Sequence, residues 1–355
     1  MAKFQRTHYE LVITGAGPTG LAAALYAARE GMSVLVLEKA IVGGMAAITN
    51  LIDNYPGFEN GVGGLELADH LYEHAVRFGA EVQTGVEVTG LIPGAPVTVT
   101  TTAGQLEANA ALIATGSTYK RLGVPGETEY IGRGVHFCAT CDAPLYRGKN
   151  VIVVGGGNSA IQESLFIARF AQSVTLLVRG PELAGTAVLM EQLGHLRNVI
   201  YSFNTRVDHI RGNLQGVTGL QATDTETGEE LDFRTDAVFV FIGLDPNTQP
   251  FAAAVKLDPQ GFVLAGPDFT TNQPGVFAAG DVRSGSTWQI ASAVGEGVNA
   301  ALEIRHKILQ QQHLDTMLSA VKAPAKKKPS KRKTATTQHK TTPQHQSQAK
   351  PKAKK

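Results

Sequence analysis

Two glycine-rich turns of the same kind, one starting at Gly15 and the other at Gly155, constrain this 355-residue chain more than any other feature. Leu11-Val12-Ile13-Thr14 is a short β-branched run that ends in Gly15-Ala16-Gly17-Pro18-Thr19-Gly20. An alanine-rich stretch follows to Glu30, with Gly31 placed to cap a helix. A second strand-like run, Ser33 to Leu37, ends at Glu38, 23 residues beyond Gly15. Strand, GxGxxG, helix, strand and acid form one unit, which sets a pyrophosphate over a helix N-terminus and a carboxylate at a ribose hydroxyl. The pattern restarts where Val151-Ile152-Val153-Val154 enters Gly155-Gly156-Gly157-Asn158-Ser159-Ala160 and a helix predicted to Phe170. Two such units mean two nucleotide cofactors or a duplicated domain. The expected class is α/β, with two Rossmann-like three-layer dinucleotide-binding domains.

The second unit differs where a cofactor would be told apart. Counting 23 residues from Gly155 reaches Val178, which offers no carboxylate to a ribose 2′-hydroxyl. The neighbouring Arg179 is the one nearby base that can meet a 2′-phosphate. Gly180-Pro181 then turns the chain away.

Between the two units lie the only cysteines, Cys138 and Cys141, in Phe137-Cys138-Ala139-Thr140-Cys141-Asp142. A short turn brings sulfurs at this spacing within bonding distance. No second ligand cluster follows at metal spacing, although His136 is adjacent, so no metal site is expected. A structural disulfide or a pair of inert buried thiols is one reading, although so short a loop restrains the unfolded chain little. A redox dithiol is the other, because CxxC geometry lowers one thiol's pKa towards about 7. Asp142 then stands where a carboxyl can pass a proton to a leaving thiolate.

The remaining segments are less specific. Val42-Gly43-Gly44-Met45 and Asp53-Asn54-Tyr55-Pro56-Gly57 are loops by themselves, and both can lie along an extended cofactor. Leu65 to Phe78 has helical amphipathic spacing, and Val97 to Thr102 and Ala110 to Ala114 read as strands. Ala237 to Ile242 is strand-like and leads to an exit loop at Gly243-Leu244-Asp245-Pro246-Asn247. Gly275-Val276-Phe277-Ala278-Ala279-Gly280-Asp281 is another strand ending in glycine and an acid, where an aspartate can accept a hydrogen bond from a ribityl hydroxyl. A helix from Ile290 to about Leu309 follows. The expected division is one discontinuous domain, 8–118 with 249–313, a second one, 119–248, inserted into it, and a tail, 314–355.

With 43% apolar and 18% charged residues the chain is long enough for two cores. No run approaches the eighteen apolar residues of a membrane span, and Met1 to Glu10 is polar, so a cytoplasmic protein without membrane contact is expected. The net charge of +1 hides an asymmetry. Val321 to Lys355 holds 12 of the 32 Lys and Arg and none of the 31 Asp and Glu, which leaves the rest of the chain acidic. Such a basic, aperiodic tail is expected to be disordered. It is either a solvated extension or a contact for nucleic acid, an anionic surface or an acidic protein.

The order GAGPTG, GGM, DNYPG, ATG, CATCD, GGGNSA and GVFAAGDV resembles the low-molecular-weight, FAD-containing thioredoxin reductases over about residues 8 to 312. The resemblance implies that Gly15, Gly17, Gly20, Glu38, Lys39, Gly43, Gly44, Met45, Asn54, Asp281, Gln289 and Ile290 bind FAD. It implies a nicotinamide, NADPH by family habit, at the second turn with Gly155, Gly157, Asn158, Ser159, Ala160 and Arg179. Cys141 would face the flavin, Cys138 would attack a thioredoxin-like partner's disulfide, and Asp142 would assist protonation. A homodimer with a swinging nicotinamide domain is the family expectation. Three positions depart from the family pattern. Only Arg179 survives of a basic HRRxxxR segment, Trp288 replaces an arginine before Gln289, and Ala143-Pro144 replaces a glycine after the aspartate. Two other functions remain beside this one: a similar enzyme using NADH, ferredoxin or another donor, and a redox-sensing flavoprotein with an anion-binding tail.

Overall fold

The structure, a computed structural model, describes residues 4–49, 51–52 and 54–322. By its contacts the chain divides into a unit ending at Gln311 and a second one beginning at Gln312. Asp53 and, apart from Val321 and Lys322, the basic tail lie outside the described residues.

The first unit contains two large sheets. Seven strands form the first, in the order Glu81–Thr84, Val34–Glu38, His8–Thr14, Gly104–Ile113, Val97–Thr101 and Val88–Ile92, with Val276–Ala278 also on Gly104–Ile113. His8–Thr14 is parallel to both of its neighbours, and Val276–Ala278 is parallel to Gly104–Ile113. Val88 to Thr101 adds an antiparallel pair at the edge. The central strands are apolar on both faces because both are covered. Leu11, Ile13, Val34 and Val36 pack with Leu21 and Ala24 of helix Pro18–Arg29, whereas Val12, Leu35 and Leu37 pack with Val97, Val99 and Phe251.

The second sheet is wholly parallel, in the order Val199–Ser202, Ser173–Leu177, Asn150–Val154, Ala237–Val240 and Val135–His136. Val151 and Val153 face helix Asn158–Ile167, while Ile152 and Val154 face a three-stranded antiparallel sheet, Thr205–Asn213, Gly216–Asp224 and Glu230–Arg234. Each large sheet is therefore the middle of three layers, and the mixed α/β class expected from the sequence is observed.

Chain passes between the sheets at two places, and these crossings pair with each other. Ser117–Tyr119 runs antiparallel to Leu244–Pro246, so the segment expected as an exit loop is a short strand. Thr115 donates its hydroxyl to the Asn247 carbonyl at 2.7 Å, and the Asn247 amide donates to the Thr115 carbonyl at 2.8 Å.

Two boundaries differ from expectation. Helix Asn158–Ile167 stops short of Phe170. The helix expected to end near Leu309 runs to Lys322, so residues 314–322 are helical rather than tail. That stretch has no glycine and no proline before Pro324, and Gln, Leu, Met, Ala and Lys are good helix formers.

Phe251 is fully buried between the first sheet and its edge pair. Phe251→Ala is expected to lower stability by roughly 3–5 kcal/mol, measured as a lower urea midpoint with an unchanged slope.

Candidate active site

The first glycine turn is held by backbone and by one carboxylate. Gly15 N–H donates to the Leu37 carbonyl at 2.8 Å, and Glu38 accepts from Ala16 N–H at 2.9 Å and from Ala40 N–H at 2.8 Å. A Cβ on Gly20 would stand 2.0 Å from the Gly15 carbonyl oxygen, so only glycine lets the helix start this close to the turn. Gly17 precedes helix Pro18–Arg29 with no side-chain cap, and nothing lies within 4 Å of where its Cβ would be. Open space over an uncapped helix start suits a phosphate. Gly43 N–H donates to the Ala16 carbonyl at 2.7 Å, which draws the Gly43-Gly44-Met45 loop onto this turn. Lys39 is exposed and pairs with Glu87 at 3.9 Å.

Asp281 lies beyond strand Val276–Ala278. Desolvation pushes its carboxyl up to about 6, the Glu296 charge adds to this, and the Ser286 hydroxyl, donating at 3.2 Å, opposes it. Glu296 is itself engaged by Gly280 N–H and by the Arg283 guanidinium. A desolvated carboxylate with a single protein donor fits a ligand hydroxyl, as the ribityl chain of FAD provides.

The two cysteines form a disulfide with a Cα–Cα distance of 5.4 Å. Cys138 caps the short helix Ala139–Asp142, its sulfur accepting from Cys141 N–H at 3.2 Å and lying 3.3 Å from the Thr140 hydroxyl. Gln289 donates to that hydroxyl at 3.5 Å and accepts from the Asn54 amide at 3.1 Å. Cys138, Thr140, Gln289 and Asn54, far apart in sequence, thus form one chain of contacts. Ile290 begins the helix after Gln289 and packs with Ala46, Ile52 and Leu67.

Phe137, next to Cys138 in the chain, belongs to an aromatic cluster. Phe137 stacks on Tyr119 at 5.2 Å and lies 4.3 Å from the Arg121 guanidinium. Burial pushes the Tyr119 phenol up to about 12, with further contributions from Asp281, Asp142 and Glu163. Asp281 and Asp142 therefore act on one ring, although they belong to different sheets. Asp142 Oδ2 is 3.2 Å from His136 Nδ1, and His136 Nε2 is 2.7 Å from the Tyr146 hydroxyl. Trp288 has φ +50°, the left-handed region, and its ring lies 6.0 Å from that of Phe262.

The second glycine turn repeats the first with a different neighbour. A Cβ on Gly155 would meet the Phe241 carbonyl oxygen at 2.4 Å and the Ala160 methyl at 2.8 Å. Gly157 is an uncapped helix start with open space around it. Asn158 accepts from Thr186 N–H at 2.8 Å, and Ala184 N–H donates to the Gly156 carbonyl at 2.8 Å, so residues 184–186 lie along the turn. Val178 is buried against Gly156. Ser159 and Arg179 are exposed, and among the described residues no acid pairs with Arg179.

Thr140, Tyr119, Tyr146 and the role of His136 were not read from the sequence. Proximity of His136 to the CxxC is the one signal in the sequence, and with no second ligand cluster it assigns the ring no role.

Fold and site define a disulfide oxidoreductase built on two nucleotide-binding turns. Residues 9–297 match the family described as Pyridine nucleotide-disulphide oxidoreductase. Thioredoxin reductase of Bacillus subtilis (strain 168) is 39% identical over 305 residues, covering 86% of this chain and 96% of that protein. The bifunctional thioredoxin reductase/thioredoxin of Mycobacterium leprae (strain TN) is 40% identical over 299 residues, 84% of this chain and 65% of that longer protein. A crystal structure of thioredoxin reductase from Streptococcus pyogenes MGAS5005 superposes with a TM-score of 0.81 at 35% identity, covering 86% of this chain and 99% of that one. The chain belongs to the pyridine nucleotide-disulphide oxidoreductase family, among the thioredoxin reductases, and is an FAD-dependent enzyme that uses a nicotinamide.

Because the folded Asp281 carboxyl binds its proton more tightly than an unfolded one, its contribution to stability is full below its ordinary value of 3.8 and is lost as pH rises through about 6. Flavin-free protein is expected to lose stability across this window, and Asp281→Asn to remove that part of the loss. Urea midpoints of both proteins between pH 4.5 and about 7 test this, and parallel curves would contradict it.

Proposed function

We propose that the protein is a thioredoxin-disulfide reductase that passes electrons from NADPH through FAD and the Cys138/Cys141 dithiol to a thioredoxin-like disulfide. The contact chain Cys138, Thr140, Gln289 and Asn54 is the observation that carries the reading, since it sets the disulfide against residues of the first nucleotide unit. We read the chain as divided into 8–118 with 249–313 and 119–248, a division that the paired crossings at Ser117–Tyr119 and Leu244–Pro246 support. Gly15, Gly17, Gly20, Glu38, Gly43, Gly44, Met45, Asn54, Asp281, Gln289 and Ile290 hold the flavin, and Lys39 borders it. Gly155, Gly157, Asn158, Ser159, Ala160 and Arg179 take the nicotinamide nucleotide.

FAD, when bound, supplies a two-electron carrier between hydride donor and disulfide. Glycine turns and uncapped helix starts orient both pyrophosphates. Cys141 takes the flavin side and Cys138 attacks the partner's disulfide once reduced. Asp142 gives the proton that the leaving sulfur needs. The protein acts as a homodimer in the cytoplasm. Among the described residues no helix is long and apolar enough to cross a membrane.

Anaerobic titration of the holoenzyme decides the donor. NADPH is expected to bleach the flavin at stoichiometric amounts, and NADH to need more, because Arg179 is the nearby base that the sequence offers to a 2′-phosphate. Arg179→Ala should erase the difference, a loss of about tenfold or more for one charge-assisted contact. Bleaching by neither nucleotide would point to another donor such as ferredoxin. Cys138→Ser should keep flavin bleaching and lose thioredoxin reduction, and full turnover in that variant would overturn the dithiol reading.

A further inference from the structure

We propose that His136 is the positioning residue that keeps Asp142 supplied with a proton. This rests on the reading of Asp142 as the acid of the dithiol step. At neutral pH an imidazole holds a proton far more readily than a carboxyl group does. A histidine in contact with the acid therefore offers it a proton source that an isolated aspartate lacks.

The geometry joins the three groups in a line. His136 has a side chain only 6% exposed, with Nδ1 3.2 Å from Asp142 Oδ2. Its Nε2 is 2.7 Å from the Tyr146 hydroxyl, and its ring lies 5.2 Å from that of Phe239. These partners suit both protonation states. A neutral ring accepts the phenol proton at Nε2 and faces Asp142 with Nδ1–H. An imidazolium donates at both nitrogens, the phenol oxygen now accepting. Burial, together with Asp142 and Asp236, pushes the Tyr146 phenol up to about 12, so it stays neutral throughout.

The other charged groups nearby are few. Asp236 pairs with Lys149, the strand carrying Phe239 presents no charge to the ring, and Asp142 and Glu163 act together on Tyr119. Among the described residues no lysine or arginine pairs with Asp142 or His136.

In the step itself, the Cys138–Cys141 bond breaks on receiving two electrons, which FAD would supply when bound. One sulfur remains a thiolate and the other takes the proton of Asp142. The Nδ1 proton of the imidazolium refills Asp142, His136 becomes neutral, and water reaching half-buried Tyr146 restores the charge. Disulfide, two electrons and one proton give one thiol and one thiolate.

Stopped-flow mixing of the FAD-loaded enzyme with NADPH, without thioredoxin, reads this step as the return of oxidised flavin. Wild type is expected to slow as pH rises. His136→Asn keeps an N–H for Asp142 but carries no exchangeable proton of an imidazole. It should be at least about tenfold slower at pH 6.5 and insensitive to pH where wild type is not. Tyr146→Phe removes the Nε2 partner of His136 and should move the wild-type profile to lower pH. A wild-type profile in His136→Asn, or an unmoved profile in Tyr146→Phe, overturns the proposal. Asp142→Asn separates the two readings. If it transfers electrons at the wild-type rate, the acid itself is misassigned. If it is slow while His136→Asn matches wild type, Asp142 stands and His136 is only structural.

Discussion

The contact between Gln289 and Thr140 is the one on which the chemistry of this fold depends. Gln289 belongs to the end of the first sheet's layer and Thr140 to the helix that carries the cysteines. That approach brings Gln289, and through it Asn54, to the turn that carries the disulfide. The approach is itself permitted by the paired crossings at Thr115 and Asn247, where chain leaves one sheet and returns. Those crossings carry only a two-stranded ribbon, so their two reciprocal hydrogen bonds fix where the lobes meet.

Electrostatics at the meeting place are set by carboxylates taken from water. Asp281 is pushed up to about 6 by desolvation, and the Tyr119 phenol is pushed up to about 12 by burial, with Asp281 and Asp142 adding to it. A group held this far from its ordinary value is poised to bind a ligand or a proton, as functional sites commonly are. Glu296 shows the contrast, since its two oxygens are occupied by Gly280 and by Arg283 and it serves as support behind Asp281. Glu296 is satisfied by protein on both oxygens, whereas Asp281 accepts from Ser286.

Much of the fold was legible because its signals are local. Both glycine turns, their strands and their helices follow from close-approach geometry and hydrophobic alternation within about 30 residues. Boundaries were less so. Nothing in Leu244-Asp245-Pro246 announces a strand, because its pairing with Ser117–Tyr119 is made across more than a hundred residues. The last helix passes Leu309 because its residues are good helix formers, a graded preference with no stop signal to read before Pro324.

The sequence by itself determined two phosphate-binding turns, a lone pair of cysteines and an acid beside them, since each is written in consecutive residues whose chemistry does not depend on distant neighbours. Tertiary structure alone decided what those parts face. Asn54 and Gln289 come to the dithiol, Asp281 and Asp142 share the field around Tyr119, and His136 lies between Asp142 and Tyr146 rather than at the surface. The physical reason is that burial and Coulomb interaction depend on which surfaces are pressed together, and that is settled by the packing of two sheets, not by the spacing of residues along a chain.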